Sequence, residues 1–468
     1  MRDYANYPAI ELYFDQNGAP VDASIAAELH AFVTTGAAAN ATDLFVFSHG
    51  WNNTDDEAYT ELYEPFFTNL QSLVAANTVP FAGRVPAVAA VYWPSKAFVF
   101  GAPPAQGQSA EDPVPALIDA RLDQVAAMFP GDAAATAAVA AARAAIPNLD
   151  SDPAAADAFV AALAGIVPHD PLVDEGLTAA MAVVQGAAGR DVLAAIGAAR
   201  SGGLATPALV GAGPSDSGGG ASLDAGPAAP PDFSAGSGAG LLGDITNRVA
   251  SSAADFLNLF TYYTMKQRAG VVGATGLAPL LANVRAARKL RVHLIGHSFG
   301  GRLVTSAANA LAAPATVNSI SLLQAAYSHY GMAKDWDQNN TDGAFRAVIG
   351  NRKATDFILA THSVHDSAVG TWYPIASELM RQVGAAAQAP VSEWGGMGGD
   401  GAQATPESTN DVLAATGTDY APFKGGIWLR NIDGSGPDPL PTIHEHGDVT
   451  KPEIVSAIAL HVDRYSTA

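Results

Sequence analysis

The strand-like run Leu290-Arg291-Val292-His293-Leu294-Ile295 leads directly into Gly296-His297-Ser298-Phe299-Gly300, and Gly301-Arg302-Leu303-Val304-Thr305-Ser306-Ala307 then starts a helical pattern. A strand that must become a helix within five residues can be built in few ways. The reversal places strained backbone at Ser298 and crowds the positions two before and two after it, so glycine at 296 and 300 answers a steric requirement. It lifts the serine hydroxyl into the crevice at the strand's carboxyl end. It also aims the first N–H groups of the helix at any negative oxygen formed there.

The rest of the chain supplies a sheet around that strand. Residues 9–14, 43–48 and 87–93 read as strands before the turn, and 318–325, 355–361 and 426–432 after it. Between them lie helical patterns, among them 55–76, where Tyr59, Leu62, Phe66, Phe67, Leu70 and Leu73 share one face. Others fall at 242–268, 277–289, 300–312, 372–384 and 452–465. Such alternation predicts an α/β protein with a mainly parallel sheet and helices on both faces.

Residues 101–200 depart from this pattern. They are dominated by Ala, with helical segments at 115–129, 132–145, 155–166 and 176–199. A stripe of Leu117, Ile118, Leu122, Val125, Met128 and Phe129 is open to two readings, packing against the body or forming a substrate-facing lid. Residues 201–240 are Gly, Ser, Pro and Ala with Asp216, Asp224 and Asp232 as their only charges, the composition of a linker or loop. The expected division is a core of 1–100 plus 241–468, a helical insertion over 101–200, and a flexible linker over 201–240.

Composition narrows the function. With 49% apolar and 15% charged residues among 468, the chain has enough material for a large core. Lys plus Arg number 24 against 45 Asp plus Glu, and the net charge of −21 repels nucleic-acid phosphates. The absence of cysteine removes disulfides, thiolate metal sites and thiol nucleophiles. The first residues lack a basic start and apolar run, so cytoplasmic residence is the default expectation, with export lacking a cleavable signal left open. The Ala-rich stretches 153–166 and 176–198 carry Asp157, Arg190 and Asp191, which argues against an integral membrane segment.

The segment Val292-His293-Leu294-Ile295-Gly296-His297-Ser298-Phe299-Gly300-Gly301 resembles the α/β-hydrolase superfamily, and more narrowly its lipase and esterase branch. The resemblance spans most of 40–100 and 240–468 and does not cover the Ala-rich insertion. It implies an α/β-hydrolase fold with the insertion as a cap between the fourth core strand and the nucleophile strand, and Ser298 as nucleophile. Ser48-His49-Gly50-Trp51-Asn52-Asn53 resembles the family's His-Gly loop. By that analogy the backbone amides of Trp51 and Phe299 form the oxyanion hole.

The family's chain order of serine, carboxylate and histidine directs the search for the other two groups. Among His444, His446 and His461, the last sits inside a helix, and the His446-Gly447-Asp448 run resembles the family's terminal histidine loop. His446 is therefore preferred as base, with His444 as the alternative. Asp366, in Thr361-His362-Ser363-Val364-His365-Asp366, is the expected acid, with Asp433 as runner-up.

The resemblance implies an esterase or lipase acting on a small or lipid-like ester, with no cofactor. A peptidase, thioesterase or acyltransferase would use the same three groups. Trp93, Phe256 and Phe260 are the candidates for an apolar acyl pocket. Two other classes compete: a non-catalytic binding protein on the same fold, and a metal-dependent hydrolase built from His362, His365, Asp366, His444 and His446. The Asp335-Trp336-Asp337 run reads as a solvated turn, because Asn340 stands where a calcium loop needs Gly. The Gly-rich 394–401 reads as a flexible loop.

Overall fold

The computed structural model describes residues 2–96, 113–167, 186–201, 241–366, 395–437 and 441–466. The expected helix 372–384 and all but the first residue of the expected linker lie outside these residues. The strands are β1 (Ala9–Tyr13), β2 (Asp43–Ser48), β3 (Pro86–Tyr92), β4 (Arg291–His297), β5 (Val317–Leu323), β6 (Ala354–His362), β7 (Ser408–Val412) and β8 (Leu429–Asp433). They form one sheet in the order β1-β3-β2-β4-β5-β6-β8-β7, and every pairing is parallel.

Every residue of β2 and β5 is buried, as a sheet covered on both faces demands. Alternate residues feed two separate cores, following the period of two along a strand. Leu44, Val46, Val292, Leu294, Ile320 and Leu322 join one core, whereas Phe45, Phe47, Ile295 and Leu323 join the other. The longer helices are α1 (Ile25–Thr34), α2 (Glu64–Ala75), α3 (Pro113–Ala127), α4 (Ala133–Ala145), α5 (Pro153–Ala164), α6 (Gly189–Ser201), α7 (Leu241–Val271), α8 (Ala278–Ala287), α9 (Phe299–Ala310) and α10 (Pro452–Tyr465). The first core is closed by α1 and α7 to α9 with the insertion beyond, and the second by α2 and α10.

The insertion, α3 to α6, leaves the sheet after β3, so three strands and not four precede it among the described residues. Its stripe packs inward: Ile118, Leu122 and Val125 are fully buried and Arg121 donates to the Ala254 carbonyl of α7 at 2.6 Å. Leu117 does not belong to that stripe. It is 45% exposed, because it lies about 100° around the helix from Ile118.

Other boundaries moved for identifiable reasons. The last core strand starts at Leu429, three residues later than expected, because Gly425 and Gly426 take φ of +61° and +86° in a turn. β7 was not anticipated: it is a half-exposed edge strand, Ser-Thr-Asn-Asp-Val, with no apolar run to signal it. The helix expected at 277–289 continues from α7 through a π-helical segment, Val272–Leu277. There a Cβ on Gly273 would lie 2.1 Å from the Leu303 carbonyl oxygen, so glycine lets this rod press against α9. No helix among the described residues is long and apolar enough to cross a membrane.

The amino-terminal edge of the sheet is tied by one buried carboxylate. Asp43 accepts from Arg84 Nη1 at 2.6 Å, Arg291 Nε at 2.8 Å and His293 Nε2 at 3.0 Å through Oδ1, and from Arg291 Nη2 at 2.9 Å through Oδ2. Arg84 also donates to the carbonyls of Asp463 and Ser466, joining the end of α10 to the sheet. Burial alone would raise the Asp43 pKa, but the hydrogen bonds from His293 and Arg291 prevail and hold it well below the usual carboxylate range. Asp43→Asn should cost about 3–5 kcal/mol in urea unfolding at neutral pH, since two arginines lose their counter-charge. A carboxylate with a depressed folded pKa stabilises above its unfolded pKa and ceases to do so as pH falls. The difference between wild type and Asp43→Asn should therefore shrink below about pH 4; a difference constant from pH 7 to 3 would refute the assignment.

Candidate functional site

The carboxyl edge of the sheet gathers the conspicuous residues. The register pairs Ser48 with Gly296, His297 with Leu323, Leu323 with Thr361 and His362 with Asp433, so the loops after β2, β4, β5, β6 and β8 leave from one edge. At the centre Ser298 takes φ +57° and ψ −124°, a conformation costing about 1–3 kcal/mol unless its surroundings enforce it. They do. Its N–H donates to the Leu323 carbonyl, and its own carbonyl accepts from Gly301 and Ala326, each at 3.0 Å. A Cβ on Gly296 would stand 2.3 Å from the Gly300 oxygen, and one on Gly300 2.2 Å from the Ser48 oxygen.

His446 comes from the loop after β8. Its Nδ1 lies 2.9 Å from Asp366 Oδ2, and both side chains are buried. With Nδ1–H donating to the carboxylate, Nε2 carries the lone pair. The His446 carbonyl accepts from His297 Nε2 at 3.0 Å and from Gln324 Nε2 at 3.5 Å; Gln324 also donates to the Asp448 carbonyl at 3.3 Å. The turn beside the serine therefore grips the histidine loop directly. Burial pushes the His297 pKa well below its ordinary value, and the nearby His446 adds to the effect, so His297 is a neutral donor. No hydrogen bond joins Ser298 Oγ to His446 Nε2 among the described residues; such contacts commonly tighten only around a substrate.

The alternatives lie elsewhere. His444 is exposed and its amide donates to Asp448 Oδ2 at 2.8 Å. Asp433 accepts from the Ser435 amide at 2.8 Å and lies 3.9 Å from His362 Nδ1, away from His446. His461 is buried in α10, bonded to Arg430 at 2.7 Å. His365 is exposed, and no group of three or more His, Cys, Asp or Glu among the described residues is arranged to hold a metal ion.

The His49-Gly50-Trp51 loop lies against the serine. A Cβ on Gly50 would be 2.6 Å from Ser298 Cβ, so only glycine allows this approach. Trp93 is a support of this loop: its amide donates to His49 Nε2 at 3.3 Å and its indole Nε1 to the His49 carbonyl at 3.1 Å. His49 Nδ1–H must then donate to the Gly50 carbonyl, 2.8 Å away. Burial lowers the His49 pKa to about 4, partly offset by that bond, and keeps the ring neutral. Asn53 Nδ2 holds the Gly50 and Trp51 carbonyls at 3.4 and 3.1 Å. The Trp51 amide has no protein acceptor among the described residues. Phe299, first in α9, has no intrahelical acceptor for its own.

Sequence reasoning missed the positioning roles of His297, Gln324 and Asn53. His297 and Asn53 fall inside the two glycine-containing motifs, which was their only signal; Gln324, just past β5, had none. Phe256 and Phe260 are fully buried on α7; Phe256 meets Phe159 of the insertion at 6.2 Å. Trp51, Phe299 and Tyr262 form an aromatic cluster around the residue that follows the serine, with ring centroids 4.9–6.0 Å apart. The glycines expected to form a flexible loop near 394–401 pack closely: a Cβ on Gly398 would lie 2.6 Å from Gln324 backbone, and one on Gly395 2.3 Å from His329 Nδ1. They frame a second histidine–carboxylate pair, the buried His329 Nδ1 and Oδ2 of the exposed Asp400, 2.7 Å apart.

No protein-family model, curated protein or solved structure matches the chain.

A histidine proton held by a carboxylate is strongly deshielded. Three far-downfield proton resonances are expected, from His446, His329 and His293, each with a ring N–H held by a carboxylate. Asp366→Asn should remove the first, Asp400→Asn the second and Asp43→Asn the third. If Asp366→Asn left all three in place, the pairing of Asp366 with His446 would be wrong.

Proposed function

We propose that the chain is a serine hydrolase of the α/β-hydrolase type that cleaves carboxylic esters through an acyl-enzyme. The observation that carries this reading is the convergence of three sequence-distant groups: a strained serine at the head of α9 and, on the same edge of the sheet, a buried histidine 2.9 Å from a buried aspartate. In this reading Ser298 Oγ attacks the ester carbonyl as His446 Nε2 takes its proton. Asp366 stabilises the resulting imidazolium and fixes the ring's orientation.

The carbonyl oxygen, now negative, accepts from the Trp51 and Phe299 amides. Collapse of the intermediate breaks the bond to the alcohol, which leaves with the proton from His446. Water then attacks the acyl-serine with His446 again as base, releasing the acid and restoring Ser298. The parallel sheet with its insertion after β3 supports a hydrolase core carrying a helical cap. The preference for ester over amide rests on the resemblance to the esterase branch.

The protein should become covalently labelled at Ser298 by a fluorophosphonate and should turn over p-nitrophenyl esters. Ser298→Ala should abolish both, and His446→Ala should lower kcat by about 10⁴ or more. Labelling that persists in Ser298→Ala would end the proposal. Activity that survives Ser298→Ala and is lost to a chelator would point to metal chemistry. An unchanged rate in His446→Ala would move the base to another residue.

A further inference from the structure

We propose that the Trp51 indole donates a hydrogen bond to the acyl part of the substrate. The ester would accordingly carry an oxygen acceptor, whether ether, hydroxyl or carbonyl, a few bonds from the carbon under attack. The proposal rests on the serine-hydrolase reading above and names its substrate class. Trp51 is 7% exposed, and its Nε1 is buried with no hydrogen-bond partner. Native proteins rarely leave such a donor unpaired, and one that is left carries the full desolvation penalty of the group. Trp93 shows the contrast: on the same loop system, its Nε1 is satisfied by the His49 carbonyl at 3.1 Å.

The position of Trp51 is as informative as its missing partner. It follows Gly50, the residue pressed against Ser298 Cβ. Its ring lies 6.0 Å from that of Phe299, the residue after the serine, and 5.9 Å from that of Tyr262, with Tyr262 and Phe299 4.9 Å apart. Trp51 and Phe299 are the two residues whose amides face the developing oxyanion in the proposed reaction. Trp51 follows the glycine packed on Ser298 Cβ and Phe299 follows Ser298 itself, so their ring contact places the indole in the aromatic cluster next to the serine. With its own carbonyl held by Asn53 at 3.1 Å, the backbone of Trp51 is fixed and the indole stays in this cluster. An aromatic surface with one unsatisfied N–H fits an apolar acyl chain interrupted by one oxygen. A site built to bond such an atom discriminates strongly against the analogue lacking it.

The test uses two p-nitrophenyl esters of nearly equal shape, the 3-methoxypropanoate and the pentanoate, which differ by an oxygen in place of a methylene. Each kcat/KM is divided by the hydroxide-catalysed rate constant of the same ester, so intrinsic reactivity cancels. The wild type should prefer the methoxy ester about tenfold or more, and in Trp51→Phe the preference should fall to about one. Effects common to both esters, including any disturbance of the oxyanion loop, drop out of the ratio. If Trp51→Phe does not fold, the donorless isostere benzothienylalanine at position 51 replaces it. A wild-type ratio near one, or a preference that survives loss of the donor, overturns the proposal while leaving the hydrolase reading intact. No turnover of either ester together with no fluorophosphonate labelling overturns the hydrolase reading and this proposal with it.

Discussion

The Ser48 carbonyl oxygen lies 2.2 Å from where a Cβ on Gly300 would be, and the Gly300 oxygen 2.3 Å from where one on Gly296 would be. This contact between the end of β2, the turn after β4 and the first turn of α9 sets the geometry of the whole carboxyl edge. It forces Ser298 to φ +57°, from which its N–H reaches Leu323 of β5 and its carbonyl reaches the Ala326 amide beyond β5. Three neighbouring strands are thereby locked around one residue. A side chain at 296 would have to part β4 from α9, and one at 300 would have to part β2 from α9, and all three are buried in the core. The strain at Ser298 persists because relieving it would mean unpacking the centre of the sheet.

Two buried histidines flank that residue without sharing the proposed chemistry. His49 and His297 are kept neutral by burial, and each spends an N–H on a backbone carbonyl: Gly50 for the first, His446 for the second. A neutral imidazole makes a rigid, uncharged strut with a fixed tautomer, suited to shaping a loop. His446 differs in one respect, a carboxylate on Nδ1. That partner fixes Nδ1–H as the donor and leaves the lone pair on Nε2, the atom that takes the proton in the proposed reaction. Environment assigns the roles, and residue type alone does not.

This explains what was legible from sequence. The strands β2, β3 and β6 were readable because each contains a continuous apolar run, the pattern demanded when both faces are covered. The serine turn was readable because its glycines are a local steric necessity. His446 and Asp366, 80 residues apart in the chain, could be placed only through a resemblance, since nothing local in either loop records that they meet. The supporting residues were less visible still. Gln324 and Asn53 act through side-chain contacts to backbone, which leave no periodic trace. β7 was missed because an edge strand with polar residues has no apolar signature.

That helix connects the insertion to the site. Along α7, Phe256 packs on Phe159 of the insertion, and Tyr262, nearly two turns later, touches Trp51 and Phe299. Arg268, nearly two turns further, donates to the carbonyls of Pro94 after β3 and Met128 after α3, each at 2.7 Å. Burial lowers the Arg268 pKa to about 10, which leaves it charged at neutral pH, and these carbonyls sit where the chain departs from the sheet into the insertion and where α3 ends. The helix that carries the insertion's packing surface thus also carries part of the wall beside the serine. A shift of the insertion relative to the sheet would have to move Tyr262 or break the Arg268 bonds, so its position and the shape of that wall are mechanically linked.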